Sequence, residues 1–140
     1  MAFYVFDLDG TLADLAHRKP LLDAKDWRGF FAAVGNDEPI PAVIGVLQAL
    51  HAAGNQIEIW SGRSDECRAE TEAWLLRHGV PEGVPVIMRS AGDKRPDDLV
   101  KREFLRGINQ PDVIFDDRQR VVDMWRSKGI TCFQVAPGDF

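Results

Sequence analysis

Two carboxylates stand close together near the start of the chain, in residues 3–11, which read FYVFDLDGT. The apolar run predicts a buried strand, and aspartate is a poor strand residue. The carboxylates of Asp7 and Asp9 repel each other unless a cation lies between them. The segment therefore indicates a site that holds a metal ion or activates a nucleophile at the end of a strand.

Three further polar groups follow apolar runs later in the chain. They are Ser61-Gly62-Arg63, the basic stretch with Arg89, Lys94 and Arg95, and Asp116-Asp117. Convergent carboxylates without histidine or thiol favour a hard cation, most simply Mg²⁺. Serine, arginine and lysine beside them favour an anion. A metal, a carboxylate nucleophile and an anion clamp would together form a phosphoryl-transfer site.

The elements that must bring these groups together alternate regularly. We predict strands at residues 2–6, 57–60, 84–88, 113–115 and 131–135, and helices at residues 41–53, 65–78, 97–106 and 118–128. A glycine follows each helical pattern, at Gly54, Gly79, Gly107 and Gly129, as expected just past a helix. The alternation predicts an α/β fold, a three-layer Rossmann-like parallel five-stranded sheet with helices on both faces. Ligands bind at the carboxyl ends of such strands, so the polar groups should converge there.

Residues 12–40 interrupt this alternation as a long connection after the first strand, with a short helix suggested at residues 27–31. Connections of this length are usually functional. The rest of the 140-residue chain has no large insertion, so we predict a single domain, residues 1–140, with a minimal cap. A minimal cap leaves an open crevice that admits the end of a polymer.

The bulk composition argues against several other classes of protein. No apolar stretch is long enough to span a membrane, and the first residues lack the pattern of a secretion signal. With a net charge of −5, any site for a polyanion must be local. Cys67 and Cys132 lack metal-ligand spacing and suit a reducing cytoplasm. The scattered His17, His51 and His78 are expected to be structural or solvent-facing rather than zinc ligands.

The motifs match a known family. Asp7-Leu8-Asp9-Gly10-Thr11, Ser61, a downstream lysine and Asp116-Asp117 resemble, in order and spacing, the four motifs of the haloacid dehalogenase (HAD) superfamily of phosphohydrolases. Further segments resemble the 3′-phosphatase domain of phage polynucleotide kinase/phosphatase, namely Arg18, Ser61-Gly62-Arg63, Gly92-Asp93, residues 97–101 and much of residues 116–140. The kinase phosphate loop, Gly-x-x-x-x-Gly-Lys-Ser/Thr, does not occur, so we predict no kinase domain and no kinase activity.

The resemblance implies a role for each acidic residue. Asp7 would be the nucleophile that forms an aspartyl-phosphate. Asp9 would be the general acid/base, with its backbone carbonyl as a metal ligand. Asp116 would ligate Mg²⁺ directly, and Asp117 would orient the metal shell or ligate through water. The expected cofactor is therefore Mg²⁺, held by Asp7, Asp9, Asp116 and Asp117.

The resemblance also implies a set of groups around the phosphate. Lys101 is the expected catalytic lysine, since it lies four residues after Asp97 and shares a helix face with it; Lys94 is the competing candidate. The expected substrate phosphate-binding residues are Thr11, Arg18, Ser61, Gly62, Arg63 and Asp97. Five other cations either guide a nucleic-acid strand or form a solvated face, and they are Arg89, Lys94, Arg95, Arg102 and Arg118. Trp60 and Trp125 have core spacing, which favours packing over base stacking.

These expectations lead to a ranked set of functions. The first is a Mg²⁺-dependent phosphomonoesterase that acts on 3′-phosphate ends of DNA or RNA, with 2′,3′-cyclic phosphate ends as a further candidate substrate. The alternatives are a small-molecule nucleotidase of the same superfamily and a non-catalytic phosphate-binding module. The expected partner is a 3′-phosphorylated nucleic acid or nucleotide, with no membrane and no obligate protein partner. The expected location is the cytoplasm of a bacterial or phage-infected cell.

Overall fold

Five parallel strands form the central sheet in the computed structural model, which describes residues 1–105, 107 and 109–138, apart from the side chain of Phe31. The strands of the described residues are β1 Phe3–Phe6, β2 Ala13–Asp14, β3 Glu38–Pro39, β4 Gln56–Ser64, β5 Val86–Arg89, β6 Val113–Asp116 and β7 Thr131–Gln134. The large sheet has the order β5-β4-β1-β6-β7. Strand β1 lies at its centre, where Tyr4 pairs with Ile57 on one side and Val113 on the other. This order brings the ends of β1, β4 and β6 together.

Helices cover both faces of the large sheet, which confirms the predicted three-layer fold. The helices of the described residues are α1 Lys19–Asp23, α2 Trp27–Ala32, α3 Pro41–Ala52, α4 Arg68–Arg77, α5 Asp97–Arg102 and α6 Gln119–Ser127. Leu47 of α3 and Trp74 of α4 pack with Phe6 and Ile59 in one apolar cluster. Trp125 of α6 packs in a second cluster, on the other face of the sheet. No described helix is long and apolar enough to cross a membrane.

Among the predicted elements whose boundaries differ from the structure, β4 and α5 bear on the site. Strand β4 continues to Ser64, beyond the predicted end at residue 60, so residues 61–63 lie in its irregular end. The register with β5 shifts between Ser61 and Ser64, and such an irregularity redirects side chains at the end of a strand. Helix α5 ends at Arg102, earlier than the predicted end at residue 106. Residue 106 lies outside the described residues, as do Asp139 and Phe140, which belong to the segment that resembles the phage phosphatase domain.

The long connection has more structure than its sequence indicates. The predicted short helix is present as α2, but α1 and the two-stranded sheet of β2 and β3 were not predicted. Strands of two residues cannot show the alternating pattern that identifies a strand. The antiparallel pairing of Ala13 with Pro39 and of Asp14 with Glu38 brings the two ends of the connection together. Residues 15–37 therefore leave and rejoin the domain next to the end of β1.

Candidate active site

Asp7 follows β1 directly, and its side chain contacts a buried lysine. Lys101 Nζ on α5 donates to Asp7 Oδ1 over 2.5 Å and to Asp116 Oδ2 over 3.3 Å. Burial alone would lower the pKa of Lys101, but Asp116 and Asp7 raise it well above its usual value, so the ammonium stays charged. The structure thus brings Lys101 to Asp7, whereas Lys94 is exposed on the loop before α5.

Asp116 ends β6, and three N–H groups fix its carboxylate. The backbone N–H groups of Asp117 and Arg118 donate to Asp116 Oδ1 over 2.8 and 3.3 Å. Trp125 Nε1 donates to Asp116 Oδ2 over 3.2 Å. Trp125 is a core residue, as predicted, but the sequence did not show that it also orients an acidic residue of the site.

Asp7, Asp116 and Asp117 form a buried cluster of carboxylates. One oxygen atom from each residue lies within 4.8 Å of the other two. Burial, and then the neighbouring carboxylates, raise the pKa of Asp7 well above its usual value; burial and Asp116 also raise the pKa of Asp117 to about 6. Lys101 opposes both shifts without cancelling them. A crowded, all-oxygen donor set of this kind fits a hard divalent cation, which would displace the protons.

The backbone of the turn after β1 packs closely against the side chain of Asp117. Gly10 has a φ of +84°, and a Cβ at this position would lie 1.9 Å from Asp117 Oδ2, so only glycine fits. The Thr11 hydroxyl lies 3.3 Å from Asp7 Oδ2 and 3.5 Å from Asp117 Oδ1. Thr11 therefore supports the carboxylate cluster, and its contact with a substrate phosphate stays a prediction.

Asp9 has a different environment from Asp7, because two arginines bind its carboxylate. Arg63 Nη2 and Arg18 Nη2 donate to Asp9 Oδ1 over 2.7 and 2.8 Å, and Arg63 Nε lies 3.2 Å from both carboxylate oxygens. Burial raises the pKa of Asp9, but Arg63 and Arg18 outweigh burial and hold it below its usual value. The carboxylate is therefore an anion that contacts arginines and lies outside the cluster of Asp7, Asp116 and Asp117. Metal ligation by the backbone carbonyl of Asp9 stays a prediction.

A second buried carboxylate, that of Asp37, binds the same two arginines. Arg18 Nε and Nη2 donate to it over 2.7 and 2.8 Å, and Arg63 Nη2 donates over 2.8 Å. His17 Nε2 lies 2.6 Å from Asp37 Oδ1. Two arginines between two aspartates balance in charge and fix the position of Asp9. The sequence analysis missed Asp37, because one acidic residue within an irregular connection forms no recognisable pattern.

Three of the predicted phosphate contacts, Ser61 and Arg63 from β4 and Arg18 from the connection, are buried. Arg18 is 0% exposed, and both Ser61 and Arg63 are 1% exposed. Ser61 Oγ accepts the backbone N–H of Arg63 over 3.1 Å, which leaves the hydroxyl hydrogen to donate to an anion. Of the two arginines, Arg63 borders the cavity beside Asp7, and Arg18 reaches the site through Asp9.

Gly62 and Asp97 join β4 closely to α5. A Cβ on Gly62 would lie 1.7 Å from Asp97 Oδ1, so a side chain there would displace the carboxylate. Asp97 accepts from Arg89 Nη2 over 3.2 Å, and it lies 3.6 Å from Arg118 Nη1 and 3.9 Å from Lys101 Nζ. Asp97 therefore positions three cations around the site, and its direct contact with phosphate stays a prediction.

Asp7 and Asp9 border a cavity of about 1040 Å³. The long connection and the loop before α5 supply most of its remaining lining. Ligand pockets of roughly 300–1,000 Å³ hold drug-sized molecules, so this cavity has room for a nucleotide. Five cations were expected either to guide a nucleic-acid strand or to form a solvated face. Four of them line this cavity, namely Arg89, Lys94, Arg95 and Arg118, and Arg102 does not. Arg89 also holds the loop in place, since its Nη1 donates to the backbone carbonyls of Asp93 and Arg95 over 3.1 and 2.6 Å.

Comparisons with known proteins identify the family of this chain. The model of the family "Polynucleotide kinase PNKP phosphatase domain" matches residues 1–140. A putative bifunctional polynucleotide kinase/RNA ligase of Autographa californica nuclear polyhedrosis virus is 31% identical over 135 residues, which are 92% of this chain and 18% of the viral protein.

Solved structures give the same result. A chain in the structure of the Pnkp1/Rnl/Hen1 RNA repair complex matches with a TM-score of 0.86 and 31% identity, over 100% of this chain and 44% of that chain. The class C acid phosphatase of Bacillus anthracis, with a TM-score of 0.69 and 19% identity over 99% of this chain and 68% of that chain, shares the fold. The chain thus spans less than half of the relatives that carry polynucleotide kinase names.

Proposed function

This chain belongs to the family of polynucleotide kinase PNKP phosphatase domains, which are phosphoric monoester hydrolases, and from this membership we propose that it removes the 3′-phosphate from DNA or RNA ends with Mg²⁺ as cofactor. The observation that carries the proposal is the buried cluster of Asp7, Asp116 and Asp117, with Lys101 in contact, beside a cavity with room for a nucleotide. A binding module would not need a buried carboxylate poised in this way.

In the proposed site, Asp7, Asp116 and Asp117 would hold the metal ion. A bound Mg²⁺ would neutralise charge on the phosphate and allow an anionic carboxylate to approach it. Lys101 favours the ionised form of Asp7, and it would neutralise charge on the acyl phosphate that forms there. Ser61 donates its hydroxyl hydrogen to a phosphate oxygen. The site thereby combines a nucleophile with donors aimed at the charge of the transferred group.

The proposed reaction has two steps at phosphorus. In the first, one Asp7 carboxylate oxygen attacks phosphorus, the bond to the 3′-oxygen breaks, and Asp9 gives that oxygen a proton. In the second, a water attacks the phosphorus of the aspartyl-phosphate, Asp9 takes the proton of the water, and the bond to Asp7 breaks. The products are a 3′-hydroxyl, inorganic phosphate and free Asp7.

Asp9 must be protonated before the first step, and its arginine contacts suggest how. Arg63 borders the cavity, so an incoming phosphate dianion shares its N–H groups with Asp9. Weaker hydrogen bonds from Arg63 to Asp9, together with the negative charge of the phosphate, raise the pKa of Asp9 toward the value that a general acid needs. The two aspartates of the first motif thus take separate roles because different cations surround them.

The test of the proposal is a substrate comparison at matched concentrations. A 3′-phosphorylated oligonucleotide, a 3′-mononucleotide and a 5′-mononucleotide are incubated with the wild type and with Asp7→Asn, with Mg²⁺ or with EDTA. We expect the oligonucleotide to be the best substrate, and we expect EDTA or Asp7→Asn to abolish its turnover. Preference for the 5′-mononucleotide would favour the nucleotidase alternative, and Mg²⁺-independent turnover would reject the metal.

The same comparison bears on partners. The solved relative was found in an assembly with Rnl and Hen1, whereas action without an obligate protein partner stays a prediction for this chain. Turnover of the oligonucleotide by the purified chain alone would support that prediction.

A further inference from the structure

Six large apolar side chains are exposed among the described residues, and one of them lines the cavity beside Asp7. The six are Met1, Trp27, Val46, Leu76, Leu99 and Phe133, and Trp27 is the one that borders the cavity. Trp27 is 52% exposed, although indole is among the side chains that gain most from burial. An exposed indole next to a site for a phosphate ester offers a flat surface for an aromatic part of the substrate.

Trp27 is linked to Asp9 through the side chains of Phe30 and Arg18. The Trp27 and Phe30 rings meet edge to face, with centroids 5.9 Å apart and planes at 80°. The guanidinium carbon of Arg18 lies 4.3 Å from the centroid of the Phe30 ring, and Arg18 donates to Asp9. The indole therefore packs, through Phe30, against one of the arginines that position Asp9.

From these observations we propose a nucleobase subsite on Trp27, which deepens the proposed function and rests on it. The base of the 3′-terminal nucleotide stacks on the part of the Trp27 indole that borders the cavity while its phosphate binds at Asp7. Stacking accepts any base, because each base has a π-face, so the subsite recognises a nucleotide end without reading its sequence. It provides a preference for nucleic-acid ends over phosphate esters that lack a base.

The test compares two DNA oligonucleotides with a 3′-phosphate, one ending in thymidine and one ending in a tetrahydrofuran abasic residue. The enzymes are the wild type, Trp27→Ala, Trp27→Phe and Phe133→Ala. Phe133 is also 52% exposed but lies outside the cavity lining, so its variant is a matched control. The readouts are kcat and KM, with circular dichroism to check that each variant is folded.

Base stacking contributes roughly 1–3 kcal/mol, so Trp27→Ala should lower kcat/KM on the thymidine end by about 5- to 150-fold, mostly through KM. Trp27→Phe should recover part of the loss, and Phe133→Ala should behave as wild type. On the abasic end, Trp27→Ala should match the wild type. The subsite alone would be overturned if Trp27→Ala lowered kcat/KM equally on both substrates or on neither. Equal kcat/KM of the wild type on both substrates would also overturn it. Failure of the wild type to hydrolyse both DNA oligonucleotides and an RNA oligonucleotide with a 3′-phosphate would overturn the proposed function and the subsite with it.

Discussion

Replacing Asp117 with asparagine should stabilise the metal-free protein, although it removes a proposed functional residue. Asp117 lies with Asp7 and Asp116 in a cluster that has more negative than positive charge, since Lys101 is the cation in contact. Asparagine keeps the size of the side chain and an oxygen to accept from Thr11. The substitution therefore removes the cost of burying an anion and the repulsion from Asp116, while changing the packing little.

The magnitude follows from the pKa of Asp117, which is raised from 3.8 to about 6. At 1.36 kcal/mol per pKa unit, a shift of about 2 units costs the folded state about 3 kcal/mol when Asp117 is ionised. Because the pKa is raised by folding, the cost is absent below about pH 4, grows as the pH rises toward 6 and is complete above that. Asp117→Asn should recover up to about 3 kcal/mol at pH 8, which is about 10 °C in Tm for a chain of this length.

The assay is thermal unfolding in EDTA at pH 8 and at pH 4, for the wild type, Asp117→Asn and Asp123→Asn. Asp123 is an exposed acid on α6, so its variant controls for the loss of one negative charge. We expect a higher Tm for Asp117→Asn at pH 8, no difference at pH 4, and a smaller Mg²⁺-induced rise in Tm than in the wild type. A lower Tm for Asp117→Asn in EDTA at pH 8 would refute the electrostatic reasoning.

Two other substitutions test the neighbours of the carboxylates. Lys101→Ala should lower kcat by about 100-fold or more, because the buried ammonium contacts Asp7, whereas Lys94→Ala should leave kcat within about threefold of the wild type. If steady-state kinetics show the larger loss for Lys94→Ala, the catalytic lysine is Lys94. Asp37→Asn should lower the free energy of unfolding by about 3–5 kcal/mol and also lower kcat, because it leaves Arg18 and Arg63 with one carboxylate. Urea unfolding measures the first effect and steady-state kinetics the second, and an unchanged kcat would show that Asp37 does not position Asp9.

The layered fold could be predicted because its signals are local. Apolar runs, helical spacing and the glycines after each helix identified the five main strands and four of the helices, and the carboxyl ends of neighbouring strands then had to meet. The cluster of Asp7, Asp116 and Asp117 follows from that topology alone. Lys101 could be chosen over Lys94 because four residues separate it from Asp97 on a helix.

The surroundings of Asp9 could not be predicted, because they depend on the path of the long connection. Asp37, Phe30 and Trp27 belong to that connection, whose short elements have no sequence periodicity. The sequence analysis placed Arg18 and Arg63 on the substrate phosphate, whereas their present partners are Asp9 and Asp37. Which contacts residues make inside an irregular segment is decided by packing in three dimensions, and spacing along the chain does not record it.

The central claim is that Asp7 takes the phosphoryl group from a 3′-end, and one trapping experiment tests it directly. An oligonucleotide labelled with ³²P in its 3′-phosphate is mixed with the enzyme and Mg²⁺, quenched in acid within milliseconds, and the labelled protein is digested and mapped. We predict acid-stable, base-labile label on the peptide that contains Asp7, and no label on Asp7→Asn. Label on another residue, or rapid release of phosphate with no labelled protein at any time in the wild type, would contradict the account.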